Sequence, residues 1–312
     1  MQLSDRIGKR IKLQDVHILM TVVQAGSMGK AARSLNTSQP NISKSIADLE
    51  HALGVRLLDR HRQGVAPTQY GRALLEGGSA VFDELRQTVR NIAFLADPTA
   101  GEVRVGCNPF LAANFVSAVV AGLSRQHPRM MFRLVTAYTE TLHRELIERN
   151  VDLLITRKSG PIDERFDYEF LFDDTYSIVA GARNPWARRS KVDLAELVNE
   201  AWVLPPMESV LGSVVMRAFR ASRLDYPRTP VIAEPAEARM RLLATGRFIS
   251  IFPDSVLKFF ARRPELKVLP VKQSLGRVPI GIITLKNRTI SPIARLFIAR
   301  SREMAKSLST RI

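Results

Sequence analysis

The chain has 312 residues, with 46 Lys or Arg against 30 Asp or Glu and a formal charge of +16 at neutral pH. That length suits two or three domains with substantial cores, and the cationic excess favours polyanionic partners without choosing between nucleic acid and an anionic membrane. The single cysteine, Cys107, excludes an intrachain disulfide or multi-cysteine zinc site, the opening MQLSDRIGKRIKLQD lacks a secretory signal, and no segment reaches the ~20 apolar residues of a membrane span.

A soluble, cytoplasmic protein with no membrane partner is therefore expected. Leu13, Val16, Leu19, Met20 and Val23 recur at helical spacing and stop at Gly26, predicting a first helix. Met28, Ala31, Ala32 and Leu35 repeat the pattern after Ser27, an N-cap residue, and Asn36 and Thr37 end it. A third helix starts at Ser38, with Pro40 in its first turn, where a missing N–H costs nothing. Ile42, Ile46, Leu49 and Leu53 then form one apolar stripe, leaving Gln39, Asn41, Lys44, Ser45 and Asp48 off it. Two short helices joined by a tight turn fit a helix-turn-helix whose second helix enters a major groove. Gln39 and Asn41 could pair with adenine, and Lys44 with guanine or phosphate. The same periodicity would also describe two helices of an ordinary core.

The residues from Gly26 to Leu75, GSMGKAARSLNTSQPNISKSIADLEHALGVRLLDRHRQGVAPTQYGRALL, closely resemble the N-terminal domain of LysR-type transcriptional regulators. The match rests on Ser27, Ala31, Ala32, Leu35, Ser38, Gln39, Pro40, Ser43, Ile46, Leu49, Glu50, Leu53, Gly54, Leu57, Arg60, Thr68 and Gly71, with Leu57-Leu58 standing where the family usually has Leu-Phe. The resemblance implies a winged helix-turn-helix over 1–67, with Ser27, Ser38, Gln39, Pro40, Asn41, Ser43 and Lys44 at the DNA. Residues 1–66 carry ten Lys or Arg against five acids. Val55 to Leu58 and Val65 to Pro67 flank a short hairpin with a basic tip, Asp59 to Gly64, whose Arg60 and Arg62 are candidates for phosphate or the minor groove.

From Thr68, a cap, Leu74, Gly78, Val81, Leu85, Thr88, Ile92 and Leu95 alternate by four and three residues to the end of a long helix. That spacing suits either a coiled-coil seam or packing on its own domain. The family likeness implies dimerisation through this linker, residues 68–97, and two heads related by a dyad could read an inverted-repeat operator. After the turn residues 96–101, strands alternate with helices: 103–107, 111–126, 130–136, 140–149, 153–155, then 176–180, 192–198, 202–204, 213–222, 231–233, 237–244 and 248–252. The alternation argues for a mostly parallel sheet. A strand at 278–285 and a helix from Ser291 follow.

By resemblance the whole is α/β, an N-terminal all-α winged helix-turn-helix followed by a C-terminal two-lobed effector domain similar to periplasmic binding proteins. One lobe comprises 101–167 plus 272–308, the other 168–271. Ligands of such sheets sit beyond the carboxyl ends of strands, here in the cleft between lobes. Asn108, Pro109, Phe110, Thr139, Pro206, Met207 and Ser209 are the expected lining, with Asn108 where many relatives carry Ser or Thr. Helix N-termini in these loops suit a carboxylate or phosphate, hence an anionic small-molecule effector.

Some relatives sense peroxide with a cysteine pair, whereas the lone Cys107 reads as a packed thiol. His17, His51, His61, His127 and His143 show no metal-ligand spacing, and no nucleophile elbow, P-loop or dinucleotide fingerprint is present. No cofactor, no metal and no catalytic residue are expected. The leading reading is a regulator that binds duplex DNA as a homodimer or homotetramer and alters DNA bending or RNA polymerase contact when effector closes the cleft. Two others stay open: a sensor that does not bind DNA and docks a protein or membrane, and an enzyme built on the cleft.

Overall fold

Apolar residues at helical spacing, bounded by capping side chains, set the first three helices. α1 (Leu13–Ala25) ends at Gly26 in a left-handed conformation, φ 68°. α2 (Met28–Ser34) is capped by Ser27, whose Oγ accepts from the Lys30 N–H at 3.1 Å. α3 (Gln39–Leu53) is capped by Ser38 Oγ and closes at Gly54, φ 73°, a geometry that glycine adopts without strain. Leu19, Val22, Ala31, Ile42, Ile46 and Leu49 are buried where the three helices meet. Each full burial of a leucine or isoleucine there is worth about 1.5–3 kcal/mol.

The structure, a computed structural model, describes residues 7–61, 64–158, 160–259 and 264–309. It divides into two units, Met1–Arg90 and Asn91–Ile312. In the first unit, β1 (Leu58–His61) and β2 (Gly64–Pro67) form an antiparallel hairpin. Glu50 Oε1 at the end of α3 accepts from the Leu57 and Leu58 N–H groups at 2.7 and 3.2 Å, tying the helix to the start of β1. The hairpin is shorter at its tip than expected: Asp59 and Arg60 lie within β1, with Arg60 opposite Val65. Arg62 lies outside the described residues.

α4 (Gln69–Ala96) begins under Thr68, whose Oγ1 donates to the Arg56 carbonyl at 2.7 Å and accepts from the Gly71 N–H at 3.1 Å. Its stripe splits in two. Leu74 packs against the three-helix core and Gly78 sits where a Cβ would press on Val16. Beyond them Val81, Leu85, Val89, Ile92 and Leu95 are exposed, Leu95 by 80%, while Asp83 and Gln87 are buried.

The second unit opens with β3 (Ala100–Cys107), a helical turn α5 (Pro109–Leu111), a π turn (Ala112–Val116), α6 (Ser117–Gln126), β4 (Arg129–Thr136), α7 (Thr139–Ile147) and β5 (Leu153–Arg157). β6 (Phe166–Gly181) is one continuous strand of 16 residues, much longer than the expected 176–180. A short 3-10 turn (Pro185–Arg188) and another (Leu194–Leu197, in place of the expected helix 192–198) lead to β7 (Val203–Leu204), α8 (Val210–Ala221), β8 (Val231–Ile232), α9 (Ala236–Ala244), β9 (Ile249–Pro253) and α10 (Asp254–Phe259). β10 (Leu266–Val268), β11 (Arg277–Leu285) and α11 (Pro292–Ser309) complete the unit.

The main sheet runs β10-β6-β11-β5-β3-β4, with β9 also on β6. β3 is parallel to β4 and β5, but β11 is antiparallel to both β5 and β6, and β6 is antiparallel to β9 and β10. The sheet is therefore mixed rather than mostly parallel, because β6 and β11 run in opposite directions between two lobes. The expected lobe boundary at 167/168 falls inside β6. Its Leu171 and Phe172 still pack in the first lobe with Val105, Phe115 and Ile280, and Tyr176 and Ile178 join the second lobe's core with Trp202, Val214 and Phe219.

Candidate functional sites

In the first unit, the N-terminal turn of α3 presents Gln39, Pro40, Asn41 and Lys44 to solvent, because Ile42, Ile46 and Leu49 turn the opposite face into the core. Asn41 Nδ2 donates to Thr37 Oγ1 at 3.2 Å, which orients its amide. Ser27 and Ser38 act locally as caps. Ser43 is engaged locally as well. It is half-buried, and its hydroxyl donates to Met28 Sδ of α2 at 3.3 Å.

Arg60 is exposed on β1. A concavity of about 780 Å³ alongside α3 is lined by Lys9, Arg10 and Lys12 together with Asn41 and Lys44, with Asp15 and Asp48 also on its wall. The basic run 9–12 was visible in the chain, but nothing in its spacing placed it beside α3. Four cations around an amide-bearing helix turn can hold a polyanion's phosphates and touch base edges.

In the second unit a cavity of about 710 Å³ lies between the two lobes. Four chain segments at helix starts meet there: Asn108 to Phe110, Tyr138 to Glu140, Pro205 and Pro206 with Glu208 to Leu211, and Glu234 to Glu237. Asn108, Pro109, Phe110, Thr139, Pro206 and Ser209 line it, whereas Met207, 42% exposed, is not among the lining residues. Beside it the chain packs tightly at Gly212, where a Cβ would press on the Pro206 carbonyl and the Met207 backbone.

Several polar groups of this lining are already engaged. Asn108 Oδ1 accepts from the Leu111 N–H at 3.0 Å, and Ser209 Oγ accepts from Gly212 N–H at 3.0 Å while donating to the Pro206 carbonyl at 2.6 Å. Asn114, in the π turn, donates from Nδ2 to the Phe110 carbonyl at 2.9 Å. A π turn releases a carbonyl from the regular ladder, and Asn114 fills that gap at the cavity wall.

Two buried arginines, absent from the expected lining, are the cavity's cations, and the exposed Glu140, Glu208, Glu234 and Glu237 also line it. Arg157, at the end of β5, is 8% exposed and donates to Asp174 Oδ2 at 3.3 Å. Asp174 in turn accepts from the Ser255 N–H at 3.1 Å and Ser255 Oγ at 2.8 Å. Burial pushes the Asp174 carboxyl up even so. Arg239, on α9, is fully buried; Nη1 reaches the Ile251 carbonyl at 3.3 Å, and the guanidinium lies 5.6 Å from the Phe110 ring and 4.8 Å from Phe252. Burial lowers its pKa to about 10, which still leaves it charged at neutral pH. Neither arginine was recoverable from motif or periodicity, since both lie on elements read for their apolar pattern.

Cys107 is fully buried at the end of β3, and burial pushes its thiol up to about 12, so no thiolate forms near neutrality. Among the described residues no cluster of His, Cys, Asp or Glu could hold a metal ion, and no helix is long and apolar enough to cross a membrane.

Comparison with known proteins supplies two family matches. Residues 13–72 match the model described as bacterial regulatory helix-turn-helix protein, lysR family, and residues 96–306 match LysR substrate binding domain. The regulator GbpR of Azospirillum brasilense is 27% identical over 94% of this chain and 86% of its own length. PcaQ of Agrobacterium fabrum is 26% identical over 97% of each chain. Among solved structures, a full-length OxyR variant from Pseudomonas aeruginosa has a TM-score of 0.66 at 20% identity, covering 95% of both chains. CbnR complexed with its target DNA has a TM-score of 0.57 at 22% identity, covering 95% of this chain and all of that one. At these identities the structures establish the fold. Nothing in these likenesses supports a sensor without DNA or an enzyme.

Proposed function

Because the chain belongs to the LysR family of DNA-binding transcriptional regulators, with an effector-binding domain behind its helix-turn-helix, we propose that it reads an inverted-repeat operator as a dimer or tetramer. The observation that carries this reading is the pairing of an exposed amide-and-lysine turn on α3 with an apolar stripe on α4 that the described residues leave uncovered. Gln39 and Asn41 face bases. Ser27, Ser38 and Pro40 hold the two helix starts toward the backbone, and Lys44, Arg60 and Arg62 meet phosphates, helped by Lys9, Arg10 and Lys12. Ser43 contributes packing against Met28.

Val81, Leu85, Val89, Ile92 and Leu95 form the seam with a second copy, and pairing two dimers gives the tetramer. A small anionic effector occupies the 710 Å³ cavity, and its binding changes the DNA bend or the approach of RNA polymerase. The cavity's work is binding, with no catalytic step, and its setting is the cytoplasm, where duplex DNA is available.

Footprinting on the chain's own upstream DNA tests this. Gln39→Ala should relax base preference at one position per half-site, costing about 1–3 kcal/mol in discrimination, while Lys44→Ala should weaken all sequences alike and flatten the salt slope by about one. An unchanged sequence preference in Gln39→Ala would mean that another surface reads the bases.

A further inference from the structure

A buried guanidinium is expensive unless its N–H groups and its charge are met, and in this cavity one is not. Arg239 is fully buried and lines the cavity, yet its Nε and Nη2 have no hydrogen-bond partner among the described residues and only Nη1 reaches a carbonyl. The aromatic faces of Phe110 and Phe252 attract the cation but supply no counter-charge. The carboxylate nearest in charge, Glu237, is exposed on the first turn of its own helix. Arg157, also over the Phe110 ring at 5.8 Å, already has its carboxylate in Asp174, so it can add charge without releasing that partner. The N-termini of α7, α8 and α9 also open on the cavity, adding partial positive charge around the same space.

The geometry points to Arg239 as the primary anchor of an oxyanion on the effector, with Arg157 as its second cation, and to that oxyanion as the counter-ion that the buried guanidinium requires. The inference rests on the reading of this cavity as the effector site. A single carboxylate or phosphate group fits. A polyanion does not, because the exposed Glu140, Glu208, Glu234 and Glu237 ring the same cavity. The arrangement has a consequence that a purely structural arginine would not show. Replacing an unpartnered buried charge with an apolar side chain of similar length removes a desolvation cost, so the variant without its anchor should be at least as stable as the parent when no effector is bound.

The test is thermal unfolding of the full chain at constant ionic strength, with benzoate, inorganic phosphate or benzyl alcohol as probes and chloride as control. The expected result is a higher melting temperature with benzoate or phosphate, whichever source the site takes, and none with benzyl alcohol. In Arg239→Met the anion response should vanish while the ligand-free melting temperature rises by about 2 °C or holds. Arg239→Lys should keep part of the response. A lower ligand-free melting temperature in Arg239→Met, or an anion response surviving there, would overturn the assignment. A wild-type response to benzyl alcohol with none to either anion would overturn the oxyanion while leaving the cavity as the effector site. No response to any probe would count against the anchor, and an operator footprint that still changes with a metabolite extract would keep the effector reading separate.

Discussion

Asp152 shows how one carboxylate holds the first lobe of the second unit. It is 7% exposed, accepts from Arg104 through the backbone N–H at 2.9 Å and Nη2 at 2.7 Å, and meets Arg288 Nη2 at 3.1 Å. Burial pushes its pKa up, but the hydrogen bonds and charge of Arg104, with Arg288 behind, outweigh that and leave it below the ordinary carboxylate value. A folded-state pKa below the unfolded one means stability present above about pH 4 and lost as pH falls through the folded value. Asp152→Asn should destabilise the second unit by about 3 kcal/mol at neutral pH, since it strands two arginines. Thermal unfolding across pH should show the gap between wild type and variant closing below about pH 4. A gap independent of pH would assign the loss to packing.

At the scale of elements, α4 is amphipathic in an unusual sense, with its apolar stripe outward and Asp83 and Gln87 inward. An exposed row of Val81, Leu85, Val89, Ile92 and Leu95 on one helix is a surface that water leaves poorly solvated and a second helix would cover. Ile92→Glu, at a position 62% exposed, should cost little in monomer stability yet place like charges across a symmetric seam. Sedimentation should then show monomers. Operator affinity should fall at least about tenfold, because two linked heads gain their avidity from being joined. A dimer that persists in Ile92→Glu would place the interface elsewhere.

Over the whole second unit, the two lobes share the strand β6, and Asp174 sits on it between Arg157 of the first lobe and Ser255 of α10 in the second. An effector that engages Arg157 therefore acts on a group clamped to the crossing strand, which is a physical route from an occupied cavity to a changed angle between lobes. Asp174→Asn should keep effector binding within about tenfold while reducing the effector-dependent change in the operator footprint. Binding and footprint lost together would make Asp174 part of the binding site itself.

What the chain alone determined was whatever depends on neighbours a few residues apart. Ser27 and Ser38 as caps, Pro40 as a helix start, Gly26 and Gly54 as stops, and the stripe of Ile42, Ile46 and Leu49 are local rules of helix geometry, and they were readable in order. The motif spanning Ser27 to Gly71 carried the family for the same reason. Only the tertiary structure decided the rest. The upstream half of β6 hid among acids, Asp167, Glu169, Asp173 and Asp174, whose partners lie far along the chain, as Glu169 with Arg302. Arg157 and Arg239 are 82 positions apart and become one site only when β5 and α9 bring both to the Phe110 ring. A pairing of charges across such a distance leaves no periodicity in the sequence, because it is made by the packing of the lobes and not by the spacing of residues.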